Sequence, residues 1–202
     1  MLIGKPAEHQ TIGLLGGSFN PVHTGHMMIA SYLTQWGYLD QVWLNLTPRN
    51  PIKKDPSSLL PDTRRLTMLS IALKNTKHID ICDIELSMPR PLYTINTLRL
   101  LASKYPELSF KLIIGADNWQ IFDQWHESQQ ILDEFGVIVY PRTGYPVPDR
   151  HVDGMEFVDA PTVNISSTFI RNAIARGKNM EFFLPAGVNK YIIEHKLYRN
   201  DK

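Results

Sequence analysis

Two rhythms alternate along the chain. Short, nearly unbroken apolar runs at 11–15 (TIGLL), 41–46 (QVWLNL), 79–82, 110–114 (FKLII), 136–140 (GVIVY) and 155–158 have the length and composition of buried strands. Between them, apolar residues recur every three or four positions, the period of a helix with one buried face. This predicts helices over 26–36 (with Gly37 just past the end), from Asp62 as cap to about 75, and over 94–105, stopped before Pro106. Two more follow, one opened by Ser166 or Ser167 and ended by Gly177, the last over 188–196. Residues 50–61 and 142–153 read as loops.

Strand–helix alternation predicts an α/β fold: a Rossmann-like, doubly wound, mainly parallel sheet with helices on both faces. A single domain over 11–198, preceded by a tail at 1–10, accounts for the pattern. In such sheets ligands bind beyond the carboxyl ends of the strands, where strand order reverses. The strand-to-helix turns at 16–26, 115–125 and 162–171 are therefore the places where chemistry is expected.

Composition removes several classes. The 202 residues are 43% hydrophobic and 20% charged, which argues against disorder. Lys plus Arg (21) and Asp plus Glu (20) give a formal charge of +1, against attachment to a nucleic-acid polymer by bulk charge. Cys82 is the only cysteine, so neither a disulfide nor a cysteine zinc cluster can form, and a reducing, cytoplasmic location is expected. No apolar run reaches the ~20 residues that span a bilayer, so no membrane role is expected.

The first turn reads Gly16-Gly17-Ser18-Phe19-Asn20-Pro21-Val22-His23-Thr24-Gly25-His26. It is neither a P-loop nor a dinucleotide fingerprint. Its glycines still let backbone approach a ligand, and the following helix aims its positive end there. His23 and His26, three apart, share one helical face. Phosphate with two imidazole donors is the coherent reading; a metal reading lacks a third ligand. Farther on, Ser166, Ser167 and Thr168 either simply cap a helix or add its free N–H groups to a phosphate cradle, with Arg171 one turn in.

GGSFNPVHTGH resembles the H-x-G-H signature of the nucleotidyltransferase superfamily, and ISSTFIR is similar to the I-S-S-T-x-I-R motif of the same superfamily. The resemblance implies that Gly16, Gly17, Ser18, Phe19, His23 and His26 contact a triphosphate and that Ser166, Ser167, Thr168 and Arg171 close on it from the other side. Asn20 stands where many members carry Asp. Three further segments resemble the nicotinate mononucleotide adenylyltransferases: PIKK with Lys53 at the basic position, PLYTINTL, and IIGAD followed by FDQWH. That likeness implies Asp117 near the nucleotide sugars and Trp125 stacked on the pyridine ring. It also implies backbone amides at Thr94 and His126 on the nicotinate carboxylate, and Arg142 near the bound nucleotide. Taken without the resemblance, Lys53 could sit in a solvated loop, Trp125 could be a core aromatic, and Arg65 reads as a surface charge.

The implied reaction is adenylyl transfer from ATP to nicotinate mononucleotide, with Asn20, Lys53, Thr94, Trp125, His126 and Arg142 on the acceptor and Mg²⁺ bridging ATP phosphates without protein ligands. An ionised phosphate monoester needs no general base, consistent with the absence of a nucleophile–base set in the motifs. The alternatives are nicotinamide mononucleotide or another phosphate ester as acceptor, or a non-catalytic nucleotide-binding regulator. ATP and nicotinate mononucleotide are the expected partners, and a homo-oligomer is compatible with the sequence.

Overall fold

Burial alternates along each central strand, because successive side chains leave a strand on opposite faces. Ile12 and Leu14 of strand β1 (Thr11–Gly17) pack on one side of the sheet and Leu15 on the other. Phe110, Leu112 and Ile114 of β4 (Ser109–Gly115) join the first side and Ile113 the second. Both sides need cover, and helices supply it. The computed structural model describes residues 10–48, 59–146 and 152–199.

The remaining strands are β2 (Gln41–Leu46), β3 (Ile79–Cys82), β5 (Val137–Tyr140) and β6 (Met155–Phe157). They form a single sheet in the order β3-β2-β1-β4-β5-β6, every pairing parallel. One layer contains α1 (Thr24–Gln35), α2 (Asp62–Leu73), α6 (Ser167–Ala175) and α7 (Val188–Glu194), burying Leu33, Met68, Leu69, Ile170, Val188 and Ile192. The opposite layer contains α3 (Thr94–Lys104), α4 (Ala116–Trp119) and α5 (Ser128–Glu134), burying Ile95, Leu98, Leu101, Ala116 and Ile131 around Trp43. The doubly wound parallel sheet expected from the sequence is present. Strand order reverses between β1 and β4, and the turns after those two strands open on one crevice.

Helices α4 and α5 are not expected from the sequence, and several boundaries and one environment differ from its reading. Helix α1 begins at Thr24, not His26, so His23 is its N-cap. Gly25 in the first turn disguises that start. Asp62 is the first residue of α2 rather than its cap, which is Pro61. The last helix ends at Glu194. Arg65 is fully buried, not a surface charge. Its position on α2 shares a face with Met68 and Leu69, three and four residues on, and that phase carries it inward.

Candidate active site

The crevice has two lobes. One, of about 270 Å³, is lined by the first turn, by His23, Gly25 and His26, by Asp117 and Arg142, and by Ser166, Ser167 and Thr168. The other, of about 340 Å³, is lined by Asn45, Thr47, Glu85, Tyr93, Thr94, Trp125 and His126. Leu15, Gly16, Gly17, Asn118 and Tyr140 belong to both, so the lobes meet over the carboxyl end of β1. Each volume is near the lower end of the range for small-ligand pockets.

In the first lobe, the two imidazoles stack with centroids 3.6 Å apart and planes 25° from parallel. The Phe19 ring meets His26 edge-on at 5.0 Å. Gly25 gives the stack room, since a Cβ there would lie 3.1 Å from His23 Nδ1 and press the ring aside by a few tenths of an ångström. The His23 backbone N–H donates to His26 Nδ1 at 3.2 Å, which leaves Nε2 as the protonated nitrogen of a neutral ring. Burial, then the nearby Arg142 charge, lowers the pKa of His23 to about 4. Near neutral pH it is therefore an uncharged ring with one N–H to donate.

Across the lobe, the α6 hydroxyls are largely occupied. Ser166 Oγ accepts from the Phe169 N–H at 3.1 Å and caps the helix. Ser167 Oγ donates to the Pro21 carbonyl at 2.8 Å, tying α6 to the first turn. Thr168 Oγ1 accepts from Arg171 at 3.3 Å. What this helix start offers an anion is chiefly the positive end of its backbone. Asp117 and Arg142 face each other at 3.5 Å on the lobe wall; both are about one-third exposed, so the pair is worth little as a stabiliser.

Two sequence-selected residues stand behind the walls rather than in them. Asn20 is buried and lines neither lobe. Its Oδ1 accepts from the Tyr198 hydroxyl at 2.9 Å and the Leu60 N–H at 3.3 Å, a pairing that anchors the turn to the chain's last segment. Arg171 donates to the Asn20 carbonyl at 2.9 Å and sits one layer back, behind Thr168. Lys53 lies outside the described residues.

The second lobe gathers side chains from four elements. Thr94 opens α3, whose first amides have no acceptor within the helix. His126 stacks on Tyr93 with centroids 4.1 Å apart. Trp125 packs at a tilt on Phe122, and its indole N–H has no partner among the described residues. Glu85, 7% exposed, accepts at one oxygen from Asn45 at 2.7 Å and Thr97 at 2.9 Å. Its pKa is raised, chiefly by burial, against the opposing pull of those two hydrogen bonds.

Beneath both lobes lies Arg65. Its guanidinium donates to the carbonyls of Ser18 (2.5 Å), Thr47 (2.9 Å) and Leu60 (3.1 Å) and pairs with the Asp62 carboxylate. Arg65, Asn45 and Glu85 belong to no motif, whereas Thr97 lies within PLYTINTL. The available signal was a polar residue in an apolar context: Asn45 inside QVWLNL, Arg65 in phase with Met68 and Leu69.

Helix starts aimed at one crevice, a glycine-floored strand end and two stacked imidazoles define a nucleotide-binding α/β protein. The profile of the cytidylyltransferase-like family matches residues 14–173. The "Probable nicotinate-nucleotide adenylyltransferase" of Bacteroides fragilis is 44% identical over 183 residues, covering 90% of each chain. Its namesake in Flavobacterium johnsoniae is 41% identical over 191 residues, covering 93% of this chain and 98% of the other. The fold also matches Plasmodium falciparum nicotinic acid mononucleotide adenylyltransferase complexed with APC, at TM-score 0.77 and 19% identity over 94% of this chain and 98% of that one. The chain belongs to the cytidylyltransferase-like family, within its nicotinate-nucleotide adenylyltransferase branch.

Proposed function

We propose that the chain transfers the adenylyl group of ATP to nicotinate mononucleotide, giving nicotinate adenine dinucleotide and pyrophosphate. The observation that carries this reading is the pair of lobes opening onto each other over Gly16 and Gly17. ATP belongs in the lobe of histidines and helix starts, and the mononucleotide in the lobe of Thr94 and Trp125. The acceptor's phosphate oxygen attacks the α-phosphorus in line. A phosphorus–oxygen bond forms there as the bond to the bridging oxygen of pyrophosphate breaks. That attacking oxygen is ionised near neutral pH, so no side chain need remove a proton.

The chain's part is alignment and charge stabilisation. Neutral His23, together with His26, donates to the phosphate oxygens as charge develops. The starts of α1 and α6 stabilise the triphosphate, and Arg171, one layer back, braces the first turn and Thr168. Mg²⁺ enters with ATP as part of the substrate, coordinated by phosphate oxygens. In the second lobe Trp125 stacks on the pyridine ring, while backbone N–H groups of Thr94 and His126 receive its carboxylate. Donors suit an acid better than an amide, whose NH₂ would meet another donor. Lys53 and Arg142 supply positive charge toward the acceptor's phosphate. The chain acts on free nucleotides rather than on a nucleic-acid polymer, as one domain over 11–198, in the cytoplasm.

Pyrophosphate release from Mg·ATP, with nicotinate mononucleotide and nicotinamide mononucleotide in parallel, tests the assignment. Strong preference for the acid is expected. Equal use of both would overturn the carboxylate site, and release with neither would overturn the reaction.

A further inference from the structure

Asn45 and Glu85 are set deep in the wall of the second lobe, 2% and 7% exposed. Two donors in their group are already used. The Asn45 amide nitrogen and the Thr97 hydroxyl both donate to the same Glu85 oxygen, Oε1. Two acceptors remain. Asn45 Oδ1 is buried with no partner among the described residues, and Glu85 Oε2 accepts no hydrogen bond there. Leaving a buried acceptor unsatisfied typically costs about as much as a hydrogen bond contributes, so a donor is expected to meet it in the working state.

The position narrows the ligand. Asn45 stands opposite Gly16 in the sheet register, beside the line where the lobes meet. Thr97 lies one helical turn beyond Thr94, which lines the same lobe. With the ring at Trp125 and the phosphate toward Gly16, as proposed above, the two open acceptors stand along the stretch that joins them. A phosphate or carboxylate placed there would face Glu85 with like charge and donate nothing. A sugar carrying two neighbouring hydroxyls would supply both missing donors.

We infer that Asn45 and Glu85 form the binding site for the ribose cis-diol of the acceptor nucleotide, with Thr97 fixing the Glu85 carboxylate in place. This rests on the reading that the second lobe takes the acceptor mononucleotide. Glu85 then acts as a specificity determinant for a ribonucleotide, and its contribution appears in acceptor binding rather than in the chemical step.

The test uses the full chain and three probes: nicotinate mononucleotide and its 2′-deoxy and 3′-deoxy forms. Titration calorimetry of the wild type should show at least one deoxy form binding about tenfold or more weakly, the scale of a hydrogen bond to a charged group. Glu85→Gln should raise KM for nicotinate mononucleotide by a similar factor, leave KM for ATP and kcat within about twofold, and shrink the deoxy penalty. Equal binding of all three probes by the wild type would overturn the diol site, whatever the variant does. An undiminished deoxy penalty in a folded Glu85→Gln would overturn the role of Glu85. Wild-type turnover of nicotinate mononucleotide reads the proposed reaction separately, so the diol site can fail while that reaction stands.

Discussion

The two lobes solve the same problem, holding a nucleotide, with different materials. The histidine lobe is built mainly from two stretches, 15–29 and 161–168, with Asp117, Asn118 and 140–143 on its wall, and much of what it offers is backbone: a glycine turn and two helix starts. The second lobe is built from single side chains on β2, the turn after β3, α3 and the segment around Trp125. Triphosphate chemistry is generic, and backbone amides recognise it without sequence demands beyond Gly, Ser and Thr. An acceptor must be distinguished from its relatives, and that calls for individually placed side chains. Their ionisation differs as well. Burial keeps His23 uncharged in one lobe, and burial pushes the Glu85 carboxyl up in the other.

Arg65 joins the two, so its loss offers the largest expected effect. Arg65→Met would strand the carbonyls of Ser18 under one lobe and Thr47 under the other, and leave Asp62 without its partner. Asp62 is 42% exposed and rehydrates, but each buried carbonyl left without its donor costs about 1–3 kcal/mol. Thermal unfolding should shift down by roughly 10 °C for a chain of this size. A variant of unchanged Tm would mean that the lobes are held independently.

The second prediction separates chemistry from binding. His26→Ala should lower kcat by about 10²- to 10³-fold, the usual effect of removing one oxyanion donor, while KM for the acceptor changes little. Near-normal kcat would make the histidine lobe a binding site only.

The third uses acidity. His23 titrates at about 4 when folded and near 6.5 when unfolded. Between those values the unfolded chain takes up a proton that the folded one refuses, so stability rises with pH across the window. The contribution is complete above pH 6.5 and is lost as pH falls toward 4. From pH 7 to pH 5 the loss is about 2 kcal/mol. Urea titrations of His23→Gln should show about that much less acid sensitivity than the wild type; parallel curves would place the imidazole in water.

The contrast between lobes also explains what the sequence discloses. Strand–helix alternation and two compact motifs are local patterns, so the class of sheet can be read from spacing and the roles in the histidine lobe from the resemblance those motifs carry. The pairing of Glu85 with Asn45 joins residues 40 apart through strand order, which no local pattern encodes. Arg65 shows the same limit: its helical phase pointed inward, but a charged residue on an apolar face usually means a misjudged face. Asn20 shows the reverse. It sits inside a recognised motif, yet its side chain serves Leu60 and Tyr198 instead of the cleft.

The shared floor of Gly16 and Gly17 has a kinetic corollary. A dinucleotide assembled across it occupies both lobes at once and cannot vacate one while retaining the other. Such a product competes with each of its precursors, so accumulation throttles the forward direction from both sides. Refilled together with pyrophosphate, the same undivided space permits the reverse journey, and the direction of travel follows concentration rather than architecture.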